Sequence, residues 1–282
     1  MREAKKHIDL QSIFGEKPRT NSFTKPLILK LIKTLFAVAA IFAITLYYHE
    51  VWPFWPVLVI AVLYMLIILV LSTNVQFNFF VKAYNKNPDY PDKAVALSFD
   101  DGPVESTLEI LDILDRYNAK AAFFCIGKNI KKYPEVFKEI IKRGHIVGNH
   151  TFSHTRKIGF LPSRIIIDEI ENCNQIAEEI GGVKMNLFRP PFGIINPKTK
   201  RALNKTGHQV IGWNIRPYDA ITKSPEKIIH RITKDLNKGD LILLHDNMPN
   251  TAPILEQLLV ILQQRKFSTV RPDKLFNIHA YN

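Results

Sequence analysis

Cysteine is scarce in this chain: 282 residues contain two, Cys125 and Cys173. One falls in an expected buried strand and the other in an expected helix, which excludes a disulfide framework as the source of stability. A cleavage signal is missing too. No small-residue pattern follows Tyr48, the N-terminal basic region is long, and a second apolar run comes at once, so the region is read as retained. Acidic charge is also short, with 26 Asp and Glu against 38 Lys and Arg and a net charge of +12. That excess does not imply nucleic acid, because no nucleic-acid motif accompanies it. Arg2, Lys5, Lys6, Lys17, Arg19, Lys25, Lys30 and Lys33 gather before or at the start of the first apolar run, where lipid head groups and membrane topology account for them. Later lysines such as Lys128, Lys131, Lys132, Lys138 and Lys142 are interspersed with acids and read as a solvated face.

Hydrophobic residues make up 46% of the chain, enough for a substantial core, but they are unevenly spread. Two apolar runs, 31–48 and 52–71, each approach the roughly 20 residues of a spanning helix. Between them "HEVWPFWP" supplies the Pro and Trp of an interfacial turn, and Lys30 and Lys33 can snorkel to head groups. The expected organisation is a basic segment over 1–26, a membrane anchor of two apolar helices over 27–75, a polar linker over 76–93, and a soluble domain over 94–282.

Beyond residue 93 strand and helix patterns alternate. Strands are expected at 94–100, 121–126, 145–149, 185–188, 209–215, 240–245 and near Ser268, and helices at 105–117, 134–143, 163–180, 196–205, 224–236 and 252–264. In the first helix Leu108, Leu111, Ile113 and Leu114 are expected to face inward; Ser163 and Asn196 are expected caps, and Gly144 and Gly181-Gly182 are stops. Alternation of this kind implies right-handed crossovers and a parallel sheet, so the fold class is α/β, a distorted (β/α) barrel of about seven strands behind a transmembrane hairpin. In such barrels chemistry sits at the C-terminal strand ends, and the polar clusters of this chain fall there.

The first cluster is "ALSFDDGP", where a strand ends in adjacent carboxylates, Asp100 and Asp101. At a strand end both can reach one cleft from different angles, which suggests two roles. The second is "GNHTFSHT": His150 and His154, four apart, are expected on one face of a single turn, suited to a metal. Two imidazoles and one carboxylate, with positions left open, make a catalytic zinc pattern, and either Asp100 or Asp101 can supply the carboxylate. A metalloprotease is excluded, since Thr151 stands where the general-base Glu would follow the first His.

The ordered series "SFDDGP", "HTFSH", "RPPFG" and "LLHD" resembles the polysaccharide deacetylases of carbohydrate esterase family 4 over roughly residues 94–270. The resemblance implies a distorted barrel, one divalent metal (zinc before cobalt, manganese or nickel), and hydrolysis of N-acetyl groups from amino sugars. It implies Asp100 as general base and Asp101, His150 and His154 as metal ligands. Arg189 would orient the base, the backbone N–H of Phe192 would bind the oxyanion, His245 would be the general acid, Asp219 would tune it, and Leu243 would wall the acetyl pocket. One motif departs from the family. In "GWNIRPYDA" the usual Trp is Ala220 and an earlier acid is Arg216, so a more open groove is expected. His145 and His208 have no motif partner and are read as structural.

The implied partners are an N-acetylated amino-sugar polymer or oligomer and, through the hairpin, the membrane. A lipid-linked amino sugar is the alternative substrate. A non-catalytic carbohydrate-binding protein is the remaining reading, opposed by the retention of Asp100, Asp101, His150, His154, Arg189 and His245. A two-span hairpin returns the C-terminal domain to the side of the N-terminus, which the basic segment places in the cytoplasm. The family resemblance instead places the catalytic domain outside.

Overall fold

The computed structural model describes residues 24–282, with side chains from residue 30 onward. Arg2, Lys5, Lys6, Lys17 and Arg19 of the basic segment, and the side chain of Lys25, lie outside the described residues. The chain divides into two compact units, one ending at Tyr64 and one comprising Met65–Asn282.

In the first unit lie α1 (Thr24–Tyr48) and the first half of α2 (Trp55–Ser72). Mean hydropathy is 1.9 over Lys30–Tyr48 and 2.7 over Trp55–Ser72, so both helices are long and apolar enough to cross a membrane. Phe36 packs on Tyr64 at 5.2 Å and Tyr47 on Phe54 at 5.4 Å. Leu35, Val38, Ile41, Leu58 and Met65 are exposed.

The second unit alternates strands and helices: β1 (Ala83–Tyr84), β2 (Ala94–Asp100), α3 (Thr107–Arg116), β3 (Ala122–Cys125), α4 (Gly127–Lys132), α5 (Pro134–Lys142), β4 (Ile146–Asn149), α6 (Ser163–Gly181), β5 (Leu187–Phe188), α7 (Pro197–Thr206), β6 (Gln209–Ile211), α8 (Pro225–Thr233), β7 (Leu241–His245), α9 (Thr251–Gln264), β8 (Ser268–Thr269) and α10 (Pro272–Phe276). The sheet runs β1-β6-β5-β4-β3-β2-β7, every pair parallel, with β8 pairing the start of β2. The two ends of this path approach each other. Ile215, beyond β6, bridges Ile242 of β7, and buried Asp240 draws in Lys86 (2.6 Å) and Asn214 (2.8 Å). The fold is a distorted β/α barrel.

Period-2 alternation explains how β2 presents its acid. Val95, Leu97 and Phe99 join a core with Ile110, Leu114, Leu255 and Leu258 of the surrounding helices. Ala96, Ser98 and Asp100 therefore share the inner face.

Several local expectations are corrected. Leu108 is 38% exposed, and Ile110 takes the inward position. Ser163 is the first residue of α6 with Pro162 before it, and its hydroxyl accepts a hydrogen bond from Arg201 instead of capping. Asn196 does cap α7, accepting from Lys198 and Thr199 N–H groups. The stretch 76–93, read as a linker, contains β1, which extends the sheet by pairing with β6.

Candidate active site

The adjacent acids separate because the chain turns between them. Asp100 is the last residue of β2 and is buried; Asp101 adopts a left-handed backbone (φ 77°), which throws its side chain out of the strand's alternation. Asn129 fixes the turn by donating to the Asp101 carbonyl at 2.7 Å.

His150 and His154 follow β4 and do not lie on a helical turn as expected. The segment is a loop with left-handed residues at Thr151 (φ 66°) and His154 (φ 50°). Asn149 Oδ1 accepts the Thr151 N–H at 2.9 Å, and Thr151 Oγ1 accepts the His154 N–H at 3.1 Å. These side-chain bonds make a compact turn without helix, and the rings still meet at 4.8 Å.

The His150 ring donates from Nδ1 to the Arg189 carbonyl (2.8 Å), which leaves the Nε2 lone pair facing Asp101. Asp101 Oδ1 lies 3.5 Å from His150 Nε2 and 3.4 Å from His154 Nε2. Ligand atoms of the three residues all lie within 4.8 Å of one another, so this is a site that could hold a metal ion. Tetrahedral zinc with ligand distances near ~2.0–2.1 Å needs ligand atoms about 3.4 Å apart, so the donor set fits such an ion. The protonation states of Asp101 and His154 agree. Burial would raise the Asp101 carboxyl, but His150 and His154 hold it well below the usual carboxylate range. Burial and then His150 push His154 down to about 4, keeping its ring neutral near pH 7. Burial opposes charge on His150, yet Asp100 and Asp101 raise its pKa, the attraction a cation at the same place would feel.

Arg189, after β5, is completely buried. Nη1 donates to Asp100 Oδ1 (2.7 Å) and Ser98 Oγ (2.9 Å), Nη2 to the Gly212 carbonyl (2.7 Å), and Nε to the Ile211 carbonyl (3.3 Å). Its Cζ lies 4.0 Å from the Phe124 ring centre. A buried guanidinium needs this satisfaction, and it holds one oxygen of Asp100 in place.

Across the cleft, His245 ends β7 directly opposite Asp100 in the β2–β7 ladder. Asp219 receives its ring Nδ1 at 3.0 Å and its backbone N–H at 2.8 Å. Burial alone would favour the neutral imidazole, but the Asp219 hydrogen bond and the charges of Asp219, Asp100 and Asp101 raise its pKa to about 9. Phe192 is exposed, left-handed (φ 60°), and packs on the His154 ring at 4.8 Å. Leu243 is buried in a core cluster with Phe188, Val210 and Trp213.

A family model described as polysaccharide deacetylase matches residues 87–211. The chain is 31% identical over 178 residues to a Bacillus cereus peptidoglycan-N-acetylglucosamine deacetylase, covering 62% of this chain and 83% of that one. It is 31% identical to the Bacillus subtilis peptidoglycan-N-acetylmuramic acid deacetylase PdaC, over 65% of this chain but only 38% of the larger relative. The solved structure of PdaC superposes with a TM-score of 0.63 at 30% identity, covering 67% of this chain and 92% of that one. An Azorhizobium caulinodans chitooligosaccharide deacetylase is 32% identical, over 55% of this chain and 75% of its own. The chain belongs to the polysaccharide deacetylase family.

Within this deacetylase fold all the sequence-predicted polar residues, Asp100, Asp101, His150, His154, Arg189, Asp219 and His245, fall at the C-terminal strand ends or in the loops that follow. Sequence reasoning missed their supports. Ser98 shares a face with Asp100 two residues on, a signal that was available. Asp246, completely buried beside His245, accepts from Thr107 Oγ1 (2.8 Å), and its N–H donates to the Asp100 carbonyl (3.3 Å). A Cβ on Gly102 would collide with that carboxyl, so only glycine lets the acid-bearing loop lie against it. His145 is buried and His208 half-buried; the His145 ring accepts the Ala121 N–H, and His208 pairs with Asn174. Cys125 and Cys173 are buried and free.

Proposed function

We propose that this chain is a membrane-anchored, metal-dependent hydrolase that removes N-acetyl groups from amino sugars of a cell-envelope glycan. One observation carries the reading: the ligand atoms of Asp101, His150 and His154 converge beside an Asp100 gripped by Arg189, with His245 facing it from the next strand.

Asp101, His150 and His154 would hold one divalent ion, zinc by donor type. When bound, the ion supplies Lewis acidity toward the acetyl carbonyl and toward water. Asp100 Oδ1 is committed to Arg189, so Oδ2 is the atom that takes a proton from attacking water. The Phe192 N–H donates to the oxygen that becomes negative as the acetyl carbon turns tetrahedral, and Leu243 borders the methyl group. His245, its Nδ1 tied to Asp219, delivers a proton from Nε2 to the departing amine. Products are acetate and a free amino sugar. Residues 94–282 act as the catalytic domain and 27–75 as the anchor, with the domain on the extracytoplasmic side where wall glycans lie.

The two apolar helices favour one variant of this reading, a lipid-linked amino sugar presented at the bilayer. Acetate release tests the whole proposal. The full chain in detergent should liberate acetate from N-acetylated glycan strands, lose that activity on chelation, and regain it with zinc or another divalent ion. Undiminished activity in demonstrably metal-free protein contradicts it.

A further inference from the structure

Arg216 is an exposed guanidinium with no acidic partner and no hydrogen-bond acceptor among the described residues. Other arginines near the cleft are committed. Arg189 spends its donors inside the barrel, and Arg231 donates to the Pro217 carbonyl (2.9 Å) and Thr222 Oγ1 (2.7 Å). Arg216 is nevertheless held in place, its Cζ 5.4 Å from the Trp213 ring centre and 5.2 Å from that of Tyr218.

Its position ties it to the cleft. Ile215, the preceding residue, bridges β7 and accepts the Leu243 N–H (3.0 Å), and Asp219, three residues later, grips His245. Trp213 also faces the Arg189 guanidinium at 5.8 Å, so one indole lies near both the residue that holds Asp100 and Arg216. Tyr218 is left-handed (φ 61°), and Arg231 braces it at 5.7 Å. An arginine ordered by ring stacking keeps its N–H donors in the guanidinium plane and free, the arrangement that recognises carboxylate or phosphate by two parallel hydrogen bonds.

We propose that Arg216 recognises an anionic substituent, a carboxylate or a phosphate, on the sugar being deacetylated or on its immediate neighbour, so that the substrate is an acidic amino-sugar glycan. This rests on the deacetylase reading above and deepens it.

The test compares three N-acetylated oligosaccharides of equal length: a neutral N-acetylglucosamine oligomer, one with an ether-linked carboxylate on alternate sugars, and one bearing phosphomonoesters. The full chain in detergent is assayed for acetate as wild type, Arg216→Gln and Arg216→Lys. Wild type should favour an anionic oligomer over the neutral one by at least about tenfold in kcat/KM, mainly through KM, and lose the preference at high salt. Arg216→Gln should remove that preference and Arg216→Lys restore part of it, and the preferred anion tells carboxylate from phosphate. A preference that survives in Arg216→Gln, or no wild-type preference, overturns the inference. So does an equal loss on all three substrates, which would make Arg216 only a brace for Tyr218. Acetate from none of them overturns the enzymatic reading itself, an outcome distinct from acetate release indifferent to Arg216.

Discussion

Asp219 grips His245 twice, Oδ1 lying 3.0 Å from the ring Nδ1 and Oδ2 accepting the backbone N–H at 2.8 Å. One carboxylate thus fixes both where the imidazole sits and which way it faces, leaving Nε2 toward the cleft. His245 is protonated below its pKa of about 9, the form the proposed acid role requires, so its limb of the rate profile should hold through neutral pH and fall as pH rises through about 9. Asp219→Asn removes the main cause of the rise while the burial that opposes it remains. The alkaline limb should then move down by about 2 units. An unchanged limb in a pH–kcat profile removes His245 as the acid.

The same linkage bears on folding. His245 has a folded pKa raised above the ordinary 6.5, so its stabilisation is full below about 6.5 and is lost as pH rises through about 9. Thermal unfolding of wild type against His245→Gln should show a gap that narrows between those pH values. A gap that widens would contradict the Asp219 pairing.

Arg189→Met should be severe in both stability and rate. It strands the Asp100 charge in a buried place and leaves the Gly212 and Ile211 carbonyls without their donors. Breaking a buried pair from one side costs about 3–5 kcal/mol. Arg189→Lys offers fewer donors and no planar fork, so it should fall between. Denaturant midpoints near wild type for both would show that Asp100 does not depend on this guanidinium.

Gly102 and Asp246 should be energetically coupled. A Cβ at residue 102 runs into the Asp246 carboxyl, so Gly102→Ala should cost about 1–3 kcal/mol and displace the loop carrying both acids. Asp246→Ala alone loses the Thr107 hydrogen bond but opens space. The double variant should therefore be less damaged than the sum of the singles, and strict additivity in thermal unfolding would dismiss the contact.

Much of the barrel was legible because its signals are local. Ala94–Asp100 is an uncharged run ending in acids, α7 has its Asn196 cap, and α6 ends at Gly182 with φ 66°. The candidate site was legible as residue types at strand ends. Arg189 as the partner of Asp100 was expected only through the family resemblance, and the other long-range contacts were not legible because they join distant parts of the chain: Arg189 reaches back to Ser98, Asp246 to Thr107, and Asp240 closes the seam through Lys86. The helical reading of His150 and His154 failed because Asn149 and Thr151 side chains capture the backbone N–H groups of a tight turn. β1 escaped notice because two residues carry no periodicity; only pairing with β6 defines it.

The proposed anchor and the side of the bilayer on which the domain lies are open to direct test, since both apolar helices are long enough to cross a membrane. The full chain should remain with membranes after alkaline washing, and a reporter active only outside the cytoplasm, fused after Asn282, should be active. Activity from a cytoplasm-only reporter would move the catalytic domain inside and favour a precursor substrate made there.

The central claim is that two neighbouring acids do different work: Asp101 holds a metal ion and Asp100 accepts a proton. Calorimetric zinc titration of Asp100→Asn and Asp101→Asn, paired with acetate release from the same preparations, separates them. Asp100→Asn should bind zinc within a few-fold of wild type while losing about 10²-fold or more in turnover, whereas Asp101→Asn should lose most zinc affinity. Zinc affinity lost in Asp100→Asn and kept in Asp101→Asn would show that the two roles are exchanged.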